Sequence, residues 1–147
     1  MTMQATASAK SRVLVAVDLS DCSRASLDRA ASLAAGMNAA VDLLHVWTQE
    51  VPPVTRRVEP AARLALARAL LAMEDLRRAV LRDQVADSRL RIAYGSPAEA
   101  IIQVAREGYH LIIMGGHRHA ETGPRHGVID RVTAGAPCPV LTVDGAG

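Results

Sequence analysis

Apolar residues in this chain come in short runs, each followed by a segment with helical spacing. Val13-Leu14-Val15-Ala16-Val17 is a near-continuous aliphatic run. A strand with one wet face alternates, so this run predicts a strand covered on both faces. It stops at Asp18, and Ser20, Asp21 and Ser23 then offer N-caps. The helix that follows places Leu27, Ala30, Ala31 and Ala34 on one face, with Gly36 as its expected C′ residue. Val41 to Trp47 predicts a second strand.

Residues 48–60 hold three prolines and no period, so they read as a connection. From Ala61 to about Ala86 the spacing predicts a long helix, lined on one side by Leu66, Ala69, Leu70, Met73, Leu76 and Val80. Its arginines and carboxylates read as a solvated face. Arg89 to Tyr94 is expected to be a third strand. Gly95-Ser96-Pro97-Ala98-Glu99 then combines a capping serine, a proline for the first helical position and a glutamate placed for a capping box. That helix should run to Glu107 and stop at Gly108. Leu111 to Met114 predicts a fourth buried strand, and Gly115 to Gly127 a glycine- and histidine-rich loop. A short helix from Val128 to Ala134 and a last strand from Pro139 to Val143 complete the pattern.

Strands alternating with helices argue for an α/β fold, a parallel sheet with helices on both faces. No internal repeat or low-complexity linker interrupts it. We expect one domain over 12–144, preceded by a flexible N-terminal segment, 1–11. At 147 residues, half of them hydrophobic, the chain is long enough for one sizeable core.

Charge and aromatic content narrow the function. A formal charge of +2 argues against a dedicated nucleic-acid or anionic-membrane binder, which relies on concentrated positive charge. Trp47, Tyr94 and Tyr109 are the only aromatic residues, too few for stacking successive bases. The first eleven residues lack the apolar core of a secretory signal, and no run reaches the roughly 20 apolar residues that span a bilayer. The expected address is the cytoplasm.

In open parallel sheets, ligands bind beyond the carboxyl ends of the strands, where strand order reverses. The loops after Val17, Tyr94 and Met114 carry chemistry suited to a site: Asp18 with its Ser and Asp neighbours, Gly95-Ser96-Pro97, and Gly115-Gly116 with its histidines. Neither a G-x-G-x-x-G turn after the first strand nor a G-K-[ST] phosphate loop is present, which disfavours classical dinucleotide binding and Walker-type hydrolysis.

Five segments in register carry a resemblance: VLVAVDLSDCSRASLDRAASLAAGM, VDLLHVW, YGSPAEAIIQVARE, HLIIMGG and GAPCPVLTV. Together they resemble the universal stress protein family over Arg12 to Val143. The resemblance implies a Rossmann-like sheet, of the adenine nucleotide alpha hydrolase-like type, with strand order 3-2-1-4-5. It implies a cytoplasmic homodimer paired through the last strand, here Val140, Leu141, Thr142 and Val143. One branch of the family binds ATP or AMP and another binds none. In the nucleotide-binding branch the adenine meets an Asp at the end of the first strand, here Asp18. Ala16 and His45 or Val46 match its base pocket, Gly115, Arg118 and Gly127 fall on the phosphate pattern after the fourth strand, and Met114 and Val128 complete the nucleotide site that the resemblance implies.

The phosphate side departs from the family pattern. Gly115 matches the first glycine of G-x-x-G, but Arg118 replaces the second. The loop is about two residues short, and His126-Gly127 stands where Gly-Ser or Gly-Thr belongs. Glycines allow backbone N–H groups to approach phosphate, so this cradle is degraded. Arg118 and Arg125 offer side-chain charge instead. The expectation is a stress-response binding module that acts as a homodimer without nucleotide. The alternative is an ATP- or AMP-binding relative using the loop after the fourth strand. A weak nucleotide hydrolase is the lesser alternative, because no nucleophile–base pair or paired carboxylates are evident.

Other residues read in two ways. Asp18 fits either a base-binding carboxylate or a helix-capping one. His117, His119 and His126, with Glu121 and Asp130, have metal-ligand chemistry, but exposed loop histidines are commonly solvated and no metal site is expected. Three imidazoles in one loop also suit a pH-responsive segment. Cys22 and Cys138 should lie at opposite ends of the sheet, too far apart to bridge. His45 reads as a satisfied core histidine.

Overall fold

The computed structural model describes residues 11–18, 21–48, 60–116 and 124–144. In chain order the elements are β1 (Ser11–Ala16), α1 (Asp21–Met37), β2 (Ala39–Trp47), α2 (Pro60–Leu81), a 3-10 turn (Arg82–Asp87), β3 (Leu90–Tyr94), α3 (Pro97–Ala105), β4 (Leu111–Gly116), α4 (Pro124–Gly135) and β5 (Val140–Asp144). The strands form one parallel sheet in the order β3-β2-β1-β4-β5. This is the α/β fold and strand order expected from the sequence. The expected segment 1–11 lies outside the described residues except for Ser11, which already belongs to β1.

Alternate residues of the central strands face opposite layers, which explains their unbroken apolar runs. Val13, Val15, Val41, Leu43 and Ile113 pack with Leu27, Ala30 and Ala34 of α1 and with Met73 of α2. Leu14, Leu44, Ile112 and Met114 point the other way, onto Ile101 and Val104 of α3 and Val132 of α4. Each face of the sheet therefore has its own apolar cluster, and β1 sits in the middle of both.

Several element ends differ from expectation, each for a local reason. Helix α1 passes through Gly36, and Asn38 takes the left-handed turn instead, at φ 52°. Asparagine tolerates that region because its short side chain can bond locally. Helix α2 ends at Leu81 rather than near Ala86, where Arg82 turns left-handed at φ 46° and a 3-10 turn follows. Ser96 occupies the N-cap of α3, but its hydroxyl makes no capping bond. That helix ends at Ala105, before the expected Glu107, and Gly108 turns at φ 124°. Helix α4 starts at Pro124, a residue suited to the first helical position, so His126 and Gly127 lie in a helix and not in the loop.

Near the amino-terminal ends of β1 and β3 lies a polar network that sequence reading did not single out. Asp42 of β2 is fully buried, and its Oδ1 accepts from Arg12 at 2.8 Å and from the Arg89 backbone N–H at 2.9 Å. Its Oδ2 accepts from the Tyr109 hydroxyl at 2.6 Å. Arg91 holds Glu107 through two bonds of 2.8 and 2.9 Å and reaches the same hydroxyl at 3.4 Å. A buried carboxylate is tolerated because its oxygens are this well supplied with donors.

Candidate functional site

The chain leaves β1 toward β2 on one side, while β4 lies on the other, so strand order reverses at β1. A cavity of about 320 Å³ opens there, beyond the carboxyl ends of the strands. Pockets of this size at this position commonly hold small molecules. Ala16 and Val17 form its floor on the β1 side, with Leu44, His45 and Val46 from β2 and Met114 and Gly115 from β4. Pro97 and Ile101 of α3 and Val128 and Ile129 of α4 make the facing wall. Asp18, Ser23 and Thr48 supply polar groups.

Asp18 is exposed at the end of β1, and its position is defined by the first turn of α1. The buried Ser23 accepts the Asp18 backbone N–H at 3.0 Å and donates its hydroxyl to Asp18 Oδ1 at 3.0 Å. Ser23 thus lies inside the helix and orients the carboxylate, a different role from the N-cap expected of it. Val17 continues the β1–β2 pairing, donating its N–H to the Leu44 carbonyl at 2.8 Å.

His45 is half-buried at the cavity rather than enclosed in the core. Its Nδ1 lies 3.0 Å from the Val17 carbonyl, and a carbonyl only accepts, so Nδ1 carries the proton. Its ring meets the edge of Trp47, with centroids 6.4 Å apart. Both side chains of the base pocket suggested by the resemblance, His45 and Val46, therefore line the cavity.

Of the residues expected at a ligand site, Ala16, Asp18, Val46, Met114, Gly115 and Val128 all line this cavity. Gly127 precedes Val128 within α4 and is exposed. Arg118, His117, His119 and Glu121 lie outside the described residues, as do the side chains of Arg125 and His126. Among the described residues no group of three or more His, Cys, Asp or Glu could hold a metal ion. Cys138 is a free thiol, half-buried, and burial pushes its pKa up; the side chain of Cys22 is not described. Pro97 belongs to the Gly95-Ser96-Pro97 loop expected near the site, whereas Ile101, Ile129, Leu44 and Thr48 were not anticipated, because periodicity marks a residue as buried or exposed without saying what it lines.

The model of the universal stress protein family matches residues 10–144. No curated protein matches the chain. Among solved structures, a universal stress protein family member from Burkholderia pseudomallei is 27% identical, with a TM-score of 0.67 over 91% of this chain and 96% of that one. A universal stress protein from Archaeoglobus fulgidus in complex with dAMP is 21% identical, with a TM-score of 0.67 over 90% of this chain and 96% of that one. A universal stress protein in complex with cAMP is 24% identical, with a TM-score of 0.65 over 95% of this chain and all of that one.

Proposed function

Given that this chain belongs to the universal stress protein family, we propose that it is a non-catalytic binding module whose cavity takes the adenosine part of a mononucleotide. The observation that carries this reading is the apolar cavity at the sheet's reversal point, with a held carboxylate at its mouth. Leu44, Val46, Ile101 and Val128 offer an apolar slot for a flat base, and Asp18 is an acceptor for amino or hydroxyl donors. Two structural neighbours, in complex with dAMP and cAMP, support the ligand class.

The altered loop after β4 bears on phosphates, not on the base. With Arg118 and His126 in place of the family's glycine and its Gly-Ser step, polyphosphate loses backbone contacts. A monophosphate or cyclic monophosphate depends least on that cradle. ATP should therefore gain little over AMP.

Two further parts of the reading come with the family. The module works as a homodimer through β5, which lies at one edge of the sheet and includes Val140, Leu141, Thr142 and Val143. Its setting is a cytoplasmic stress response. No helix among the described residues is long and apolar enough to cross a membrane.

Titration calorimetry with adenosine, AMP, cAMP and ATP tests the ligand assignment. AMP or cAMP should bind at least as tightly as ATP, and Asp18→Ala should remove the heat. Absence of heat with every ligand, joined to absence of nucleotide in a denatured extract, would return the module to a nucleotide-free role.

A further inference from the structure

Helix α2 carries a second surface feature, unrelated to the cavity. Its buried residues are Ala69, Met73 and Leu81, and none of Pro60 to Arg68 is buried. Helices in proteins draw most of their stability from packing an apolar face. Yet Leu64 is 53% exposed and Leu71 is 65% exposed. Scattered exposed leucines are ordinary, so the pattern around them has to decide.

Leu64, Arg68, Leu71, Ala72, Asp75 and Ala79 are all exposed. At about 100° per residue they share an arc of roughly 100°, forming one stripe some 22 Å long. The stripe is complementary to its own reverse. A two-fold axis between positions 71 and 72 sets Leu71 against Ala72 of a second copy, Leu64 against Ala79, and Arg68 against Asp75. Each large apolar residue meets a small one, and each cation meets an anion, twice by symmetry. Arg78, at the border, falls opposite Ala65 rather than another cation. Glu74 is already held by Arg77 and Arg78, whereas Arg68 and Asp75 form no ion pair among the described residues.

We propose that the exposed face of α2 is a self-association surface, pairing antiparallel with α2 of a second copy. Large residues opposite small ones let two helices approach closely, and the charges select the antiparallel register. The surface is independent of β5, which lies at the other side of the sheet from β3, the strand that α2 covers. A chain using both surfaces forms assemblies larger than a dimer.

Charge reversal tests the geometry. Arg68→Glu or Asp75→Arg alone sets like charges opposite each other at two places per interface. Either should weaken self-association about tenfold in sedimentation equilibrium at low salt, removing the larger species. The double variant Arg68→Glu/Asp75→Arg should restore it. An equimolar mixture of the two single variants should also associate, because each altered position then faces an opposite charge. All six residues of the stripe are exposed, and circular dichroism should show unchanged helix content. If wild type shows no association step that the single variants weaken, the proposal fails. It also fails if the single variants weaken association but neither the double variant nor the mixture recovers it, since that pattern means a different occupant of the face.

Discussion

The Tyr109 hydroxyl donates a 2.6 Å hydrogen bond to Oδ2 of Asp42, a carboxylate with no solvent exposure. This bond ties the segment after α3 to the middle of β2, residues 67 positions apart in the chain. Hydrogen bonds to charged groups contribute about 1.5–3 kcal/mol. Tyr109→Phe should therefore lower unfolding free energy by about 2 kcal/mol in urea denaturation. Ligand affinity at the cavity should stay within twofold of wild type, because the pair lies toward the opposite end of the strands.

Stability should fall at both extremes of pH, with separable causes. Hydrogen bonds from Arg77 and Arg78 hold the Glu74 carboxyl down at about 2, against an ordinary 4.5. Arg91 likewise lowers Glu107. A depressed carboxyl contributes stability above its unfolded value and loses it as pH falls through the folded one. Unfolding midpoints should drop between pH 4.5 and 2, and Glu74→Gln should flatten part of that slope while costing stability at neutral pH. Burial, reinforced by donation to Asp42, pushes the Tyr109 phenol above 10. A raised phenol contributes below its unfolded value and loses that contribution as pH rises, so stability should also decline above pH 10.

Ser23 should act on the ligand through Asp18. Ser23→Ala removes both the donor to Asp18 Oδ1 and the acceptor of the Asp18 N–H. Affinity for AMP should weaken about fivefold, less than for Asp18→Ala, since the carboxylate remains but is no longer oriented. Trp47 is the sole tryptophan, and its contact with His45 links it to the cavity wall. A change in its fluorescence on titration with AMP should read out both variants.

Gly127 should be replaceable. It lies inside α4, and an added Cβ would meet no atom within 4 Å. Gly127→Ala should stabilise the helix by up to about 1 kcal/mol and raise the melting midpoint by roughly 3 °C. AMP affinity should not change. A marked loss of AMP affinity in calorimetry would instead mean that a phosphate approaches this backbone, as in the family's glycine pattern.

The layer arrangement was legible in the chain itself. The run from Val13 to Val17 has no polar interruption because both faces of β1 are covered, and strand order followed the resemblance. Helix ends were less legible. Gly36 is a good C′ residue, yet α1 runs on to Met37 and the left-handed turn falls at Asn38, an exposed residue that also tolerates that conformation, so residue type alone left two stopping points open. Pro124 starts α4 three residues before Gly127, and the histidine-rich composition around it hid that start.

For the site, residue identity and spacing put Asp18 at a strand end among small and aliphatic neighbours, and the family resemblance marked the glycine pattern as altered at Arg118 and His126. Packing, by contrast, brings Ile101 and Ile129 to the cavity beside Ala16 and Met114, sets Ser23 against Asp18, and buries Asp42 as an anchor. Burial and orientation depend on which elements come to lie side by side, and an apolar residue at helical spacing looks the same whether it fills a core or lines a cavity.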